Sequence, residues 1–439
     1  MARKNKSLLL FNSLLILLCW LLHAATGSSD ADAVVDLARS LVNPPSTWST
    51  GSAKNVCSSF EGITCSSSGR VTAIDLAGKG LRGTLPSSLS MLTELRWLKL
   101  EDNALSGAVP SLGGGAQSSL VHISLGGNNF TSLPDDFLHH GMPALQHLSM
   151  SHLPLPPWPF PDAVITGAPS LRNFSASNAS ITGRFPAAAL AASLTSINIL
   201  ALSYNKLTGT LPASLGNMAS LKMVLLADNY FQGPMPVFAK GVMTDVFAGN
   251  SFCLDLPGPC DAPVTTLLQV AEGFGYPLLL AQSWTGNDPC ARGWLGVACV
   301  SGHVFVINLA GYNLSGTISP AIANLTGLEK LVLSGNLLTG AIPGALTTLP
   351  KLKVLDVRNN GLTGQVPKFR ASMRVWADGN RFGEASGCAA AGPGQGNPNG
   401  TTSSSSGTNA SPLSKWNAAI VLGIVATSPT LDKQYCTWV

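Results

Sequence analysis

The sequence predicts an α/β solenoid, a right-handed superhelix in two blocks that a disulfide-capped, non-repeat island separates. Two observations lead to this fold class. A pattern of about 24 residues with leucine at fixed positions recurs between residues 71 and 252 and starts again at residue 304. Residues 253–303, which lack the pattern, contain two close cysteine pairs, a short helical pattern and Trp284.

Composition fits a turn-dense repeat protein with an aliphatic core. The chain of 439 residues has 45 Gly and 29 Pro, while 11% of its residues are charged and 7% are aromatic. Arg3, Lys4 and Lys6 carry much of the formal charge of +4, and removing them from the 26 basic residues leaves 23 against 22 acidic residues. This balance, without any basic cluster, argues against nucleic-acid binding.

Residues 1–29 are predicted to be a secretory signal peptide. A basic start precedes the apolar stretch Leu8 to Leu22, and small residues follow at Ala24, Ala25 and Gly27. The alternative, a membrane anchor, is disfavoured because the apolar run is shorter than the ~20 residues that span a bilayer. The mature chain would enter an oxidising compartment, in which cysteines pair.

Six of the nine cysteines fall into three close pairs. Each short loop is expected to contribute roughly 2–3 kcal/mol if bridged. No histidine lies at ligand spacing beside a pair, so zinc is disfavoured, and no metal or other cofactor is predicted. Of the other three, Cys19 lies in the predicted signal peptide, and Cys388 and Cys436 are either paired with each other, paired between chains or free. The three pairs are Cys57/Cys65, Cys253/Cys260 and Cys290/Cys299.

The same cap is predicted twice. Residues 30–70 contain the helical pattern DADAVVDLARSL, then Trp48 and a cysteine pair, and the island repeats this order with DAPVTTLLQV and Trp284. A solenoid needs caps because its first repeat would otherwise expose the core. The predicted order is an N-terminal cysteine cap (30–70), a first repeat block (71–252), the island with the second cap (253–303) and a second block (304–383).

The repeat template is L-x-x-L-x-L-x-x-N-x-L-x-G-x-[I/L/V]-P. Alternate residues of its first part point inward, so each unit is expected to add one strand to a parallel sheet. The asparagine at position 9 can satisfy backbone groups of adjacent turns. Repeat four, from Leu145, is irregular and contains the run PLPPWPFP. The predicted structural asparagines are Asn103, Asn205, Asn229, Asn336 and Asn360.

Positions 3, 5 and 8 of the template supply the candidate ligand face. Neighbouring rungs are ~4.8 Å apart, so Trp97, His122 and His147 at position 3 should form a ladder. A solvated face without a ligand is the simpler interpretation, and a metal held by two histidines is the weakest. Position 3 also holds Ala73, Asn173 and Ile199. The candidate face comprises Trp97, Lys99, Asp102, His122, His147, Tyr204, Met223 and Asp228.

Seven N-x-[S/T] sequons beyond the signal predict glycosylation. Sugars on both Asn173 and Asn178 would prevent a protein ligand from lying flat there. Binding would then be favoured at repeats one to three or at the island. The sequons are at Asn129, Asn173, Asn178, Asn313, Asn324, Asn399 and Asn409.

The C-terminal part, from residue 384, differs in composition from the repeats. Residues 384–415 are rich in Gly, Ser and Asn, as a flexible linker would be. Residues 416–439 are predicted to be a truncated hydrophobic segment and tail, because the apolar run from Trp416 to Ala426 is too short to span a membrane. Membrane association through this segment stays open.

The repeat is similar to that of plant extracellular leucine-rich repeat proteins. The island CDAPVTTLLQVAEGFGYPLLLAQSWTGNDPCARGWLGVAC closely resembles the ectodomain of the transmembrane-kinase (TMK) group of plant receptor-like kinases, and the resemblance covers roughly residues 30–384. It implies a cell-surface receptor with a link to auxin signalling and growth. Phe60 stands where such caps often carry Trp, as Trp294 does. The kinase motifs with which this family continues are missing from the sequence.

No catalytic constellation is present, so the sequence predicts a protein that is not an enzyme. The main hypothesis is an extracellular receptor ectodomain, secreted or on the outer side of the plasma membrane, without its own kinase. It would bind a protein, peptide or small-molecule ligand and a co-receptor. One alternative is a secreted inhibitor of wall-degrading enzymes, against which the break in the repeats argues. Another is a decoy from a truncated transcript.

Overall fold

The computed structural model describes residues 30–48, 56–112, 118–134, 137, 141–291 and 293–383. Several predicted features lie outside these residues and stay predictions. They are the signal peptide (1–29), the linker (384–415), the C-terminal segment (416–439), Cys388, Cys436, Asn399 and Asn409.

The longest sheet, called the inner sheet here, takes one short strand from each successive rung. Its first two strands are antiparallel, because the cap supplies the first as a hairpin, and all later neighbours are parallel. Its nine strands are, in spatial order, β1 (Ile63–Cys65), β2 (Val71–Asp75), β4 (Trp97–Lys99), β6 (His122–Ser124), β8 (His147–Ser149), β10 (Asn173–Ser175), β12 (Ile199–Ala201), β14 (Met223–Leu225) and β16 (Met243–Asp245).

A second row of strands, absent from the sequence-based prediction, lies where each rung turns off the inner sheet. The L-x-G-x part of the template is extended there and pairs with the same part of the next rung. One sheet contains β3 (Arg82–Gly83), β5 (Ala104–Ala108) and β7 (Asn129–Ser132). Another contains β9 (Trp158–Pro159), β11 (Ile181–Arg184), β13 (Lys206–Thr210), β15 (Tyr230–Gly233) and β17 (Ser251–Phe252).

The repeats after residue 296 form sheets of their own. The second cap again supplies an antiparallel first strand, and the rungs that follow are parallel. The five-stranded sheet is β18 (Val297–Val300), β19 (His303–Asn308), β21 (Lys330–Val332), β23 (Val354–Asp356) and β24 (Arg374–Trp376). Beside it, β20 (Ser315–Thr317) pairs with β22 (Leu337–Thr339).

Helices are short and mostly follow the proline that ends a repeat. The helix predicted from Asp30 is confirmed, and in the described part of the chain none is both long and apolar enough to cross a membrane. The α-helices are α1 (Asp30–Ser40), α2 (Val56–Ser59), α3 (Asp162–Gly167), α4 (Ala187–Ser193), α5 (Ala213–Gly216), α6 (Ala262–Gly273) and α7 (Leu278–Ser283). The 3-10 helices are Ser87–Met91, Pro320–Asn324 and Gly344–Thr348.

The core is made of the residues that the template directs inward. In the rung of Leu95, both Leu98 and Leu100 are completely buried. Apolar side chains of residues 33–252 form one cluster, and those of residues 253–362 form a second. Each short strand therefore gains its hydrophobic stabilisation from neighbouring rungs, which a single repeat cannot supply.

Position 9 of the template has the structural role that the sequence predicts. The Asn205 side chain donates from Nδ2 to the carbonyl oxygens of Ala176 and Leu202, at 2.8 and 2.9 Å. Its Oδ1 accepts from the backbone N–H of Ile181 at 2.9 Å. Asn229 and Asn336 repeat this arrangement. The asparagines thus bridge neighbouring rungs by satisfying buried backbone groups.

The two caps use the same contacts. Trp48 stacks on Phe60 with ring centroids 5.3 Å apart, and Trp284 stacks on Trp294 at 5.5 Å. The Trp48 indole donates to the carbonyl oxygen of Glu61 at 2.9 Å, and the Trp284 indole makes the matching bond to Leu295 at 3.0 Å. Phe60 therefore fills the place of Trp294 without its N–H. Disulfides join Cys57 to Cys65, Cys253 to Cys260 and Cys290 to Cys299.

Candidate functional site

The predicted ladder at position 3 is present on the inner sheet. Its members are paired in register, each with the residue of the next rung, and alternation along the strand keeps them on the face opposite the core. Trp97 is 38% exposed, and the two histidines are partly exposed. Their use in binding stays a prediction. In order along the sheet, the ladder is Ala73, Trp97, His122, His147, Asn173, Ile199, Met223 and Met243.

The imidazoles of His122 and His147 stack on each other, with ring centroids 5.0 Å apart. Burial lowers the pKa of His122, and the charges of His147 and Lys99 lower this pKa further. Burial also lowers the pKa of His147, and the Arg172 guanidinium adds to the effect. Both rings are therefore mainly neutral at pH 7 and gain charge only in more acidic solution.

The inner face changes from polar to apolar along the sheet. In its first half, Lys99 forms a salt bridge with Asp75 at 3.1 Å, and the Arg96 guanidinium lies 5.2 Å from the Trp97 ring centre. Serines follow at position 5 in the next three rungs, Ser124, Ser149 and Ser175. In the second half, the residues at positions 3 and 5 are Ile199, Ala201, Met223 and Leu225, and the last rung has Met243, which is 61% exposed, and the exposed Asp245.

Position 8 has a backbone role that its side chains do not reveal. Asp102, Tyr204 and Asp228 have φ angles of 56°, 59° and 53°, in the left-handed region that turns the chain off the strand. A Cβ at Gly127 would collide with Asp102 Oδ1, so this carboxylate lies over the next turn. Tyr204, 63% exposed, is the position 8 residue best placed to contact a ligand.

The stacked histidines raise the question of metal binding at this face. The described residues contain no group of three or more His, Cys, Asp or Glu side chains that could hold an ion. The neighbours of the stacked histidines on the adjoining strands are Trp97 and Asn173, and neither supplies an imidazole, thiolate or carboxylate ligand.

The sequons lie in different surroundings. Asn129, Asn178, Asn313 and Asn324 are exposed, as acceptors of sugars must be. Asn173 is half-buried and pairs with His147 in the ladder, so a sugar there would stand directly beside the histidine pair. Glycosylation at all these positions remains a prediction.

One pocket was not anticipated. A cavity of about 480 Å³ lies beside the irregular fourth repeat, lined by Leu133, Leu155, Trp158, Phe160 and several prolines. The Trp158 indole donates to the carbonyl oxygen of Ala179 at 2.7 Å, which fixes the ring at the cavity wall. The run PLPPWPFP signalled an irregular rung, although its consequence, a gap between rungs, depends on packing that the sequence does not reveal.

Side chains of the island fasten it to the second row of strands. Arg184 on β11 forms a salt bridge with Glu272 at 2.9 Å and lies 5.6 Å from the ring centre of Tyr276. The Tyr276 hydroxyl is 3.4 Å from Thr210 Oγ1, and burial raises the pKa of this phenol. The island is therefore packed as part of the fold, which a flexible linker would not be.

Parallel rungs, an asparagine ladder and disulfide-closed caps define a leucine-rich repeat protein. The family model described as Leucine Rich Repeat matches residues 193–218 and 327–349. The model described as Leucine rich repeat N-terminal domain matches twice, at residues 28–66 and 263–300.

Known receptor kinases are similar over most of the chain. Receptor protein kinase WSS1 of Oryza sativa subsp. japonica is 45% identical over 460 residues, which cover 88% of this chain and 49% of the relative. Receptor-like kinase TMK2 of Arabidopsis thaliana is 33% identical over 395 residues, which cover 72% of this chain and 44% of the relative. The crystal structure of PEPR1-AtPEP1 aligns with a TM-score of 0.44 and 22% identity, over 80% of this chain and 52% of that chain.

The chain belongs to the plant leucine-rich repeat receptor-like kinases that include TMK2 and TMK4, and its described part is a leucine-rich repeat ectodomain of that family. The resemblance inferred from the island and the repeats is thereby confirmed. The chain spans about half the length of the curated relatives it matches.

Proposed function

We propose that this ectodomain binds an extracellular protein or peptide across the inner face of the nine-stranded sheet. The observation that carries the proposal is the ladder at position 3, whose side chains lie side by side on successive rungs while Trp97, Tyr204 and Met243 remain exposed. Seven steps of ~4.8 Å give the ladder a length of about 34 Å, which suits an extended segment of about ten residues. Exposed aromatic residues and methionine are common anchors of such contacts.

We infer that the chain forms two repeat blocks, each a right-handed superhelix, with the island as a fixed joint between them, and that the first block presents this face. Support comes from the change of sheet between β16 and β18, the two apolar clusters and the twofold match to the N-terminal domain model. The proposed boundaries are those that the sequence predicts, at residues 70, 252, 303 and 383. A co-receptor would bind to a surface that the ectodomain and its bound ligand form together.

We also propose that the protein works outside the cell, either secreted or held at the plasma membrane. Three disulfides support an oxidising compartment. Within this proposal, the chain binds and another protein or segment supplies any catalysis. The link to auxin signalling and growth stays an expectation from the family resemblance.

Site-specific photo-crosslinking tests the binding face. A photoreactive phenylalanine analogue would replace Tyr204 or Trp97 on the inner face, or Met91 on the helical side as the matched control. Each protein would be exposed to extracellular fluid from plant tissue, and its adducts compared by mass. We expect adducts at Tyr204 and Trp97 that Met91 does not form, since a ligand on the inner face contacts only the first two. Equal adducts at all three positions, or none, would overturn the proposal.

A further inference from the structure

We propose that the inner face over β4, β6 and β8 binds an acidic stretch of the ligand, and that protonation of His122 and His147 strengthens this binding. The inference rests on the proposed function, because it names the charge of the same ligand. It predicts a preference that the fold alone does not give, namely tighter binding of a carboxylate-rich chain in acidic solution.

The geometry supplies two titratable rings in one place. His122 and His147 stack at 5.0 Å on neighbouring rungs, open to solvent on the face that the ladder forms. Trp97 adjoins His122 on one side, and Asn173 adjoins His147 on the other. A carboxylate above the two rings could accept a hydrogen bond from each, with the partly exposed Ser149 on β8 as a further donor.

The fixed charges around the pair nearly cancel. Neither Arg96 nor Arg172 forms a salt bridge with a described residue, whereas Lys99 is matched by Asp75 on β2. The Asp102 carboxylate lies over the turn at Gly127. The charged groups that act on the pair are the cations Lys99 and Arg172 and the carboxylates Asp75 and Glu101. The Arg96 guanidinium lies over the neighbouring Trp97 ring.

Protonation of the two histidines therefore decides the net charge of this surface. Two imidazolium rings at this separation repel each other, and partial burial adds to the cost, so without a ligand the rings stay neutral at pH 7. A bound carboxylate offsets this repulsion and raises the proton affinity of both rings. Linkage then requires that protons raise the affinity for the carboxylate by the same factor. Ligand carboxylates remain ionised above about pH 4.5, so the effect falls between about pH 5 and pH 7.

Asn173 limits how far the surface extends. A sugar on this residue would stand next to His147 and would confine binding to the rungs of β4, β6 and β8. The test is therefore made both with the glycosylated chain and with Asn173→Gln, which removes the sequon. The expected pH dependence is the same in both proteins, because Asn173 itself carries no charge.

The experiment measures fluorescence anisotropy of a labelled peptide of alternating Glu and Ser, with a peptide of alternating Gln and Ser as the neutral probe. We expect the acidic peptide to bind about tenfold more tightly at about pH 5.5 than at about pH 7.5. In the double variant His122→Gln/His147→Gln this difference should disappear. His303→Gln is the matched control, because His303 is exposed on β19, outside the inner face, and it should keep the full difference.

Three results would overturn the inference: no binding of the acidic peptide at pH 5.5, equal binding of the two peptides, or a pH difference that survives in the double variant. Should the double variant fail to fold, imidazole NMR titration of the unaltered chain replaces it. There, the two pKa values must rise on adding the acidic peptide. Crosslinking at Tyr204, which lies outside β4, β6 and β8, reports the proposed function separately, so adducts there with a flat pH profile would reject only the inference.

Discussion

Gln232 donates a hydrogen bond from its side-chain Nε2 to the carbonyl oxygen of Trp284 at 2.6 Å, across 52 residues of sequence. Gln232 is on β15, in the second row of strands, and is 1% exposed. Trp284 follows α7 in the island and is likewise buried. This bond holds the C-terminal end of α7 against the preceding repeats, in a contact that is buried on both sides.

Replacing Gln232 with alanine should loosen this contact. The change leaves the Trp284 carbonyl without its partner and opens a cavity, so we expect the free energy of unfolding to fall by about 2–3 kcal/mol. Chemical denaturation followed by tryptophan fluorescence measures this loss. Gln269→Ala is the matched control, since Gln269 is exposed on α6, and it should change stability by less than about 0.5 kcal/mol. Equal effects of the two substitutions would contradict the structural role of the bond.

Much of the fold follows from the spacing of the repeat. Because each unit must stack on the last, a period of about 24 residues is enough to place Trp97, His122 and His147 in register on successive rungs. The same logic predicts the bridging role of Asn205. The two Trp-containing caps could also be recognised as equivalent from the sequence. In the structure, Phe60 stacks on Trp48 as Trp294 stacks on Trp284.

What the spacing could not reveal depends on contacts between distant segments. The second row of strands needs backbone pairing between rungs, which the L-x-G-x pattern does not indicate. The left-handed turn at position 8 accommodates residues as different as Asp102 and Tyr204, so no residue type marks it. Gln232 looks like any polar residue of the template until Trp284 is placed beside it. The candidate face could thus be located from sequence, but its charge and its limits could not.

The asparagine ladder offers a second test of stability. Asn205→Ala removes four or more hydrogen bonds at once and leaves buried groups such as the Ile181 N–H unpaired, so we expect a loss of about 3 kcal/mol. Asn217→Ala serves as the control, because Asn217 is exposed after α5. Thermal unfolding of both proteins, at one pH and one protein concentration, gives the comparison. A control as unstable as Asn205→Ala would argue against the ladder.

Acid should weaken the second set of repeats through Asp356. This carboxylate is buried and accepts hydrogen bonds from Arg358 Nε and Nη2 at 2.9 and 2.8 Å, and these bonds lower its pKa. A carboxyl with a lower pKa in the folded state stabilises the fold above its unfolded value, near pH 4, and loses this contribution as pH falls through the folded value. Asp356→Asn should therefore flatten the decline in unfolding free energy below about pH 4.

The control for this prediction is Asp255→Asn, which changes an exposed carboxylate that is distant in sequence from Asp356. Urea titrations at a series of pH values measure both variants and the unaltered protein. The control should keep the original acid profile. An acid profile for Asp356→Asn that coincides with that of the unaltered protein would mean that the hydrogen bonds to Arg358 do not stabilise the fold.

The disulfide of each cap should matter to a similar extent. Cys57 and Cys65 are separated by 8 positions, Cys290 and Cys299 by 9, and the Cα atoms of both pairs are 5.6 Å apart. Since loop entropy varies slowly with length, replacing either pair by serines should lower the free energy of unfolding by about 2–3 kcal/mol. Denaturant unfolding of the two double variants, with and without reductant, measures this. In each double variant, reductant can act only on the disulfides that remain, so the further loss of stability that it causes should be smaller than in the unaltered protein. A much larger loss for Cys290→Ser/Cys299→Ser would instead show that the second cap supports the repeats on both sides of it, as the Gln232–Trp284 bond suggests.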